Sequence, residues 1–173
     1  FFPRSLFTQL CHMAYSKSIT PEQALQKARH YCGYQERCHQ EVKEKLYGMG
    51  LYKNQVEPLL SQLIEEDYLN EERFACQFAG GKFRMKGWGR NRIQNELKQR
   101  QVSDYCIKKA LKEITDADYE EMLHKMAGKK WETLRNLSLP EQQKKTQDYL
   151  LYKGYEWPKI QDALKKLVPA GKR

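Results

Sequence analysis

Ile93-Gln-Asn-Glu-Leu97, read on through Val102 and Ile107 to Ile114, decides the fold, because the chain writes this stretch three times. One further copy runs from Val42-Lys-Glu-Lys-Leu46 to Leu63, and another from Thr146-Gln-Asp-Tyr-Leu150 to Leu167. In register, Leu46, Leu97 and Leu150 coincide. So do Leu51, Val102 and Tyr155; Val56, Ile107 and Ile160; Leu60, Leu111 and Leu164; Leu63, Ile114 and Leu167. The offsets are 51 and 53 residues, with no gap inside the motif. Self-similarity at such a period signals a repeat architecture. Repeat arrays build extended binding surfaces more often than catalytic pockets.

Helix signals surround each copy and strand signals are nearly absent. Thr20-Pro21-Glu22-Gln23 supplies an N-cap, a first-turn proline and a capping-box partner. It predicts a helix to about Tyr34, followed by one over Glu36–Gly48. A third, from Asn54, carries Val56, Leu59, Leu60, Leu63 and Ile64 as an amphipathic stripe. The next unit opens at Asn70-Glu71-Glu72, a good cap followed by acids that complement the helix dipole. Gly80-Gly81 weakens this helix in its middle, and Gly87-Trp88-Gly89 ends it. Arg90–Arg100 and Ser103–Ile114 complete the unit. The last unit comprises a helix from Asp116 to about Leu134, one from the capping-box pattern Ser138-Leu-Pro-Glu141 to Lys153, and Pro158–Leu167. The expected fold is all-α: three tandem three-helix repeats, 20–69, 70–115 and 116–168, in an elongated or crescent-shaped array. Residues 1–19 form a flexible N-terminal arm and 169–173 a basic tail in this reading. A unit of about 50 residues buries too little surface to be secure alone, so each leans on its neighbours.

Composition narrows the function. The chain has 173 residues, and its 40% hydrophobic content is enough for a core, which excludes wholesale disorder. The net charge of +9 is unevenly placed. Residues 1–69 carry 8 basic and 8 acidic groups, residues 70–115 carry 11 and 5, and residues 116–173 carry 12 and 9. The excess therefore concentrates in the middle repeat. No apolar run is long enough to span a bilayer. Phe1-Phe-Pro-Arg-Ser-Leu-Phe7 lacks the apolar core of a secretory signal, and Met13 is the first candidate initiator. Five cysteines, an odd number with no Cys-x-x-Cys pair, point to reduced thiols and a cytoplasmic location.

Catalytic and metal patterns fail on inspection. Gly80-Gly81-Lys82-Phe83 resembles the end of a phosphate loop. Position 76, however, is Cys where that loop needs Gly, and Phe83 stands where it needs Ser or Thr. His30, Cys32, Cys38 and His39 lie close in sequence but match no zinc spacing. They read as partly buried thiols and surface histidines. No catalytic residue, metal ligand or cofactor is expected, and the chain reads as a non-enzyme.

The segment 82–100 has real character. Lys82, Arg84, Lys86, Arg90, Arg92, Lys98 and Arg100 face Glu96 alone, interleaved with Phe83 and Trp88. Cations among aromatics suit a polyanion or an acidic protein groove. A solvated basic face serving solubility is the plainer reading, but the charge is concentrated rather than dispersed. Arg90 and Arg92 lie about 200 degrees apart around a helix and cannot share a face. Trp88, between two glycines, reads equally as a packing wedge and as an exposed anchor. The predicted binding residues are Lys82, Arg84, Lys86, Trp88, Arg90, Arg92, Lys98 and Arg100.

With these residues in place, the chain resembles the RecX family of bacterial RecA regulators. The resemblance rests on Leu69-Asn-Glu-Glu-Arg-Phe-Ala75, Lys86-Gly-Trp-Gly89 and Arg92-Ile-Gln-Asn-Glu-Leu97. It is echoed by Ala24-Leu25, Ala28, Arg37 and Glu41-Val-Lys-Glu-Lys-Leu46 before them, and by Tyr149-Leu-Leu-Tyr-Lys-Gly-Tyr155 and Ile160 after. It covers about residues 20–168. Cys38 stands where the family usually has Ser, Asn70-Glu71 where it has Asp-Asp, and Gln101 where it often has Gly, which makes the middle turn less permissive. The resemblance implies tandem three-helix repeats and a non-enzymatic, monomeric protein. Such a protein would bind the RecA filament, with single-stranded DNA as a further partner, and modulate its ATPase, strand-exchange and co-protease activities, mostly by inhibition. Direct nucleic-acid binding by a helical module is the alternative.

Overall fold

The computed structural model describes residues 19–168. Among them are nine α-helices and no strand: α1 (Pro21–Tyr34), α2 (His39–Tyr47), α3 (Lys53–Glu65), α4 (Glu71–Lys86), α5 (Arg90–Gln99), α6 (Asp104–Lys112), α7 (Asp116–Glu132), α8 (Leu139–Lys153) and α9 (Trp157–Leu167). The expected arm, apart from Ile19, and the expected tail lie outside the described residues. Ile19 packs against the core of the first unit.

Local chemistry sets the helix ends. The Thr20 hydroxyl accepts from the Gln23 N–H, and the Gln23 side chain accepts from the Thr20 N–H, a reciprocal box ahead of Pro21. Ser138 instead donates both its backbone N–H and its hydroxyl to the Glu141 carboxylate. α2 starts three residues later than Glu36, where the Cys38 N–H donates to the Glu41 carboxylate and sets the cap; Glu36, ahead of it, accepts from Arg73 of the second unit. α4 runs unbroken through Gly80-Gly81. The buried Phe74, Ala75, Ala79 and Phe83 on its inner face outweigh the weak helix propensity of the pair. The stretch that resembles a phosphate loop is therefore helix, and Phe83 is core.

Extensive helix–helix packing joins α1 with α2 and α3, α4 with α5 and α6, and α7 with α8 and α9. The apolar cores do not follow the same threefold division. The first unit has its own, around Ala24, Ala28, Val42, Leu46, Val56 and Leu63. The second and third share one, in which Ile93, Leu97 and Ile107 join Tyr119, Leu123, Leu150 and Ile160. From the first unit only Cys38 enters that second core. Arg73 ties the first junction. Its Nε donates to Glu36 at 2.6 Å, and its two terminal nitrogens reach the Asp67 carboxylate at 2.9 Å and the Asp67 carbonyl at 2.8 Å.

The second junction is made of backbone and aromatic rings. The Gly89 N–H donates to the Lys153 carbonyl at 2.8 Å, and the Asn91 N–H to the Gly154 carbonyl at 3.2 Å. A Cβ on Gly89 would run into the Gly154 peptide, and one on Gly154 into the Arg92 backbone. Beneath this contact, Phe83 stacks on Tyr119 at 6.1 Å between centroids, and Tyr119 meets Tyr155 at 5.2 Å. Gly89 has an ordinary φ of −77°, so alanine there meets only the steric problem. Gly89→Ala will destabilise the chain by about 1–3 kcal/mol in denaturant unfolding, the usual range for overpacking.

One turn recurs in all three units. Gly50, Gln101 and Gly154 occupy the same register position, at φ of 87°, 58° and 90°. Left-handed backbone is cheap for glycine and costs about 1–2 kcal/mol for a residue with a side chain. Gln101 bears that strain in the middle unit. Gln101→Gly will raise the unfolding midpoint by the equivalent of roughly 1 kcal/mol, less the backbone entropy that glycine adds to the unfolded chain.

Candidate partner-binding surface

The eight residues singled out from the sequence fall into two groups. Arg90, Lys98 and Arg100 have carboxylate partners. Arg90 reaches Asp116 at 2.9 Å and the Ile114 carbonyl at 2.7 Å, with its guanidinium 4.4 Å from the Tyr119 ring centre. Arg100 bonds to the Glu96 carboxylate at 2.8 Å and lies over Phe78. Lys98 stands 3.5 Å from Asp104. These three brace the unit to which they belong, and Arg90 also braces the unit beyond. Arg90 and Arg92 face opposite sides of α5, as helical geometry demands.

Lys82, Arg84, Lys86 and Arg92 have no carboxylate partner among the described residues. The Arg84 guanidinium covers Gly80, on the exposed flank of α4. Lys82 and Arg92 converge on Trp88, and Lys86 lies beside them in sequence, its carbonyl bonded by Lys153. The Arg92 guanidinium is 4.2 Å from the Trp88 ring centre on one side and 4.5 Å from that of Tyr152 on the other. Its Nη1 donates to the Tyr152 carbonyl at 3.1 Å. Lys82 lies 5.2 Å from the rings of both Phe78 and Trp88. Trp88 is half-buried, edge-on to Phe78, so one part of the ring packs while another meets the cations.

The third unit completes this surface with residues the sequence reading missed. Lys153 donates to the Lys86 carbonyl at 2.8 Å and lies 5.4 Å from the Tyr149 ring. Lys130 approaches the same ring at 5.5 Å. Partial burial lowers the Lys153 pKa, and the nearby charges of Arg92 and Lys86 push it the same way. Cations are thus crowded together without anions. Tyr152 is 70% exposed, an open aromatic face at the edge of the cluster. Arg92 and Tyr152 are 60 residues apart, and their contact is no part of the repeat pattern. Only the close approach of Gly89 to Gly154 brings them together.

Behind the surface lies a buried polar link. Tyr119, fully buried, donates to Glu156 at 2.7 Å and accepts from the Arg90 N–H at 3.1 Å. Burial, reinforced by the hydrogen bond to Glu156, holds this phenol protonated well above the usual tyrosine range. Among the described residues, no group of three His, Cys, Asp or Glu side chains converges as metal ligands do. Burial raises the Cys32 and Cys76 thiols to about 11, the opposite of what a thiolate nucleophile requires. No helix of the described residues is long and apolar enough to cross a membrane.

The arrangement defines a class: a helical-repeat protein whose equipment is a cationic, aromatic surface where two repeats are fused. Comparison with known proteins places it more narrowly. The RecX second three-helix domain matches residues 70–111, and the RecX third three-helix domain matches residues 117–164. The Regulatory protein RecX of Pelodictyon phaeoclathratiforme is 31% identical over 139 residues, 80% of this chain and 85% of that protein. That of Salmonella paratyphi C is 31% identical over 147 residues, covering 79% and 87%. The crystal structure of RecX from Lactobacillus salivarius superposes with a TM-score of 0.76 at 23% identity, over 85% of this chain and 96% of that one. The chain belongs to the RecX family, a family of regulatory proteins.

Removing the Tyr119 hydroxyl leaves Glu156 and the Arg90 N–H without a partner. Tyr119→Phe will cost about 1–3 kcal/mol in equilibrium unfolding, the range for an orphaned buried group.

Proposed function

We propose that this protein binds the RecA–DNA filament and modulates it, mostly inhibiting its ATPase, strand-exchange and co-protease activities. It acts as a cytoplasmic monomer without catalysis of its own. The name that its relatives carry, regulatory protein RecX, supports the regulatory role. The observation that carries the choice of surface is the set of unpaired cations, Lys82, Lys86, Arg92 and Lys153, held around Trp88 and Tyr152. Positive charge without local anions speeds docking to an acidic groove and strengthens specific contacts made on arrival. The original eight residues keep distinct roles here. Lys82, Lys86, Trp88 and Arg92 touch the partner, Arg84 lies on another side of α4, near Glu113 and Asp118, and Arg90, Lys98 and Arg100 hold the scaffold.

A second reading is direct binding of single-stranded nucleic acid. The exposed ring of Tyr152, beside the stacked Arg92, favours it, because bases stack on such faces while cations track the backbone.

Single-stranded-DNA-dependent RecA ATPase, titrated with this protein, tests the first reading. Arg92→Glu with Lys153→Glu will shift the half-inhibitory concentration by about tenfold or more, whereas Lys98→Glu will shift it by less than about threefold. Equal effects would dismiss the surface assignment. Bare DNA binding against salt tests the second. Tight binding with a steep negative log–log slope would favour it, and weak binding alongside strong filament association would favour the first.

A further inference from the structure

The first unit carries a groove that neither reading uses. It is about 650 Å³, lies between α1 and the end of α2, and is lined by Lys27, His30, Tyr31, Tyr34, Lys45 and Met49, with Gln26 at its edge. Tyr34 is 83% exposed, more than any other large apolar or aromatic side chain of the described residues. Tyr31 is held as a wall. Its ring lies 4.1 Å from the Arg37 guanidinium carbon and 5.6 Å from the Lys45 ammonium. Tyrosine and methionine at the centre with charge at the rim is the composition of a recognition site.

The charge selects the occupant. Lys27 and Lys45 have no carboxylate partner among the described residues, and no acid lines the groove. The acids of α2 closest to Lys45 in sequence, Glu41 and Glu44, form an ion pair with neither lysine and bond to neutral donors. Glu41 accepts from the Cys38 N–H at 3.3 Å, and Glu44 from Gln40 at 2.9 Å. Residues 1–18 of the chain contain Arg4 and Lys17 and no acid, so electrostatics disfavours them as the filler. We infer that this groove binds a short acidic peptide segment of a partner protein, one that places an apolar or aromatic side chain between Tyr31, Tyr34 and Met49. The carboxylates of such a segment would meet Lys27 and Lys45.

Fluorescence anisotropy of the full chain with a labelled probe tests this. The probe is a short peptide of Glu and Asp flanking a central Trp-Leu pair. Its controls replace the pair by Gly-Ser or the acids by Lys. The parent probe will bind, and both controls will bind at least about tenfold more weakly. Tyr34→Ser and Lys45→Glu, both on exposed positions, will weaken the probe by about tenfold with unchanged helical circular dichroism. Arg92→Glu, which lies in the surface of the other two units, will leave it unaffected. The inference is overturned if the probe does not bind. It is also overturned if Arg92→Glu releases the probe while Tyr34→Ser retains it, or if the Gly-Ser control binds as well as the parent. Concentration-dependent dimerisation abolished by Tyr34→Ser would assign the groove to a second copy and overturn it as well.

Discussion

The close approach of two peptide backbones, Gly89 against Gly154, is the constraint on which the rest depends. Two hydrogen bonds cross it, from Gly89 N–H and Asn91 N–H to the carbonyls of Lys153 and Gly154. No side chain can be accommodated at either position without displacing the other strand of chain. Because the start of α5 is pinned to the end of α8, Arg92 can slot between Trp88 and Tyr152, and Lys153 can cap the Lys86 carbonyl. The same approach places the Tyr119 hydroxyl under the Arg90 amide and closes the aromatic series Phe83–Tyr119–Tyr155. Each aromatic pair adds about 0.5–1.5 kcal/mol beyond burial, so the series fixes an angle as well as covering a seam. A loosened junction would leave the cations present but separated.

The contrast between paired and unpaired cations has an energetic meaning. Exposed pairs such as Lys98–Asp104 are worth about 0–1 kcal/mol, so they mainly cancel charge. Arg92, Lys86 and Lys153 repel one another with nothing to offset it, and the depressed Lys153 pKa, set mainly by burial, also registers that repulsion. The fold tolerates this cost because stacking on Trp88 and Tyr152 and bonds to the carbonyls of Tyr152 and Lys86 hold the groups in place. An anionic partner removes the repulsion and meets donors already oriented, which reduces the ordering cost of association.

The sequence made the helices and the repeat legible, because the 3.6-residue pattern and the cap residues are local signals. It also located the basic segment. It could not sort that segment, since the sorting depends on Asp116 reaching Arg90 and on Tyr152 reaching Arg92, contacts between units that the internal repeat does not encode. The run Tyr149-Leu-Leu-Tyr-Lys-Gly-Tyr155 was visible, yet nothing local says that Tyr152 and Lys153 face the middle unit. The position of Gln101 was readable as a less permissive turn. That all three units adopt left-handed backbone there becomes plain only when Gly50 and Gly154 are superposed on it. That units lean on their neighbours was expected from their small size, but which pair shares a core was hidden, because the three copies of the apolar motif look alike.

Two kinds of junction in one chain produce two mechanical regimes. The second and third units are joined through a continuous apolar core, which resists rearrangement because packed interiors are dense and bistable rather than deformable. The first unit keeps a separate core and meets the second through Cys38 and the partly exposed contacts of Arg73 with Glu36 and Asp67. Ion pairs of that exposure are weak and screened by salt. The orientation of the first unit is therefore held by less free energy than either core. A repetitive partner engaged by the rigid pair presents its neighbouring elements to the first unit at high effective concentration, and a weakly held unit can settle onto them with little strain. Rigidity where the cations stay together, and compliance where a second contact must find its place, would suit the filament partner proposed above.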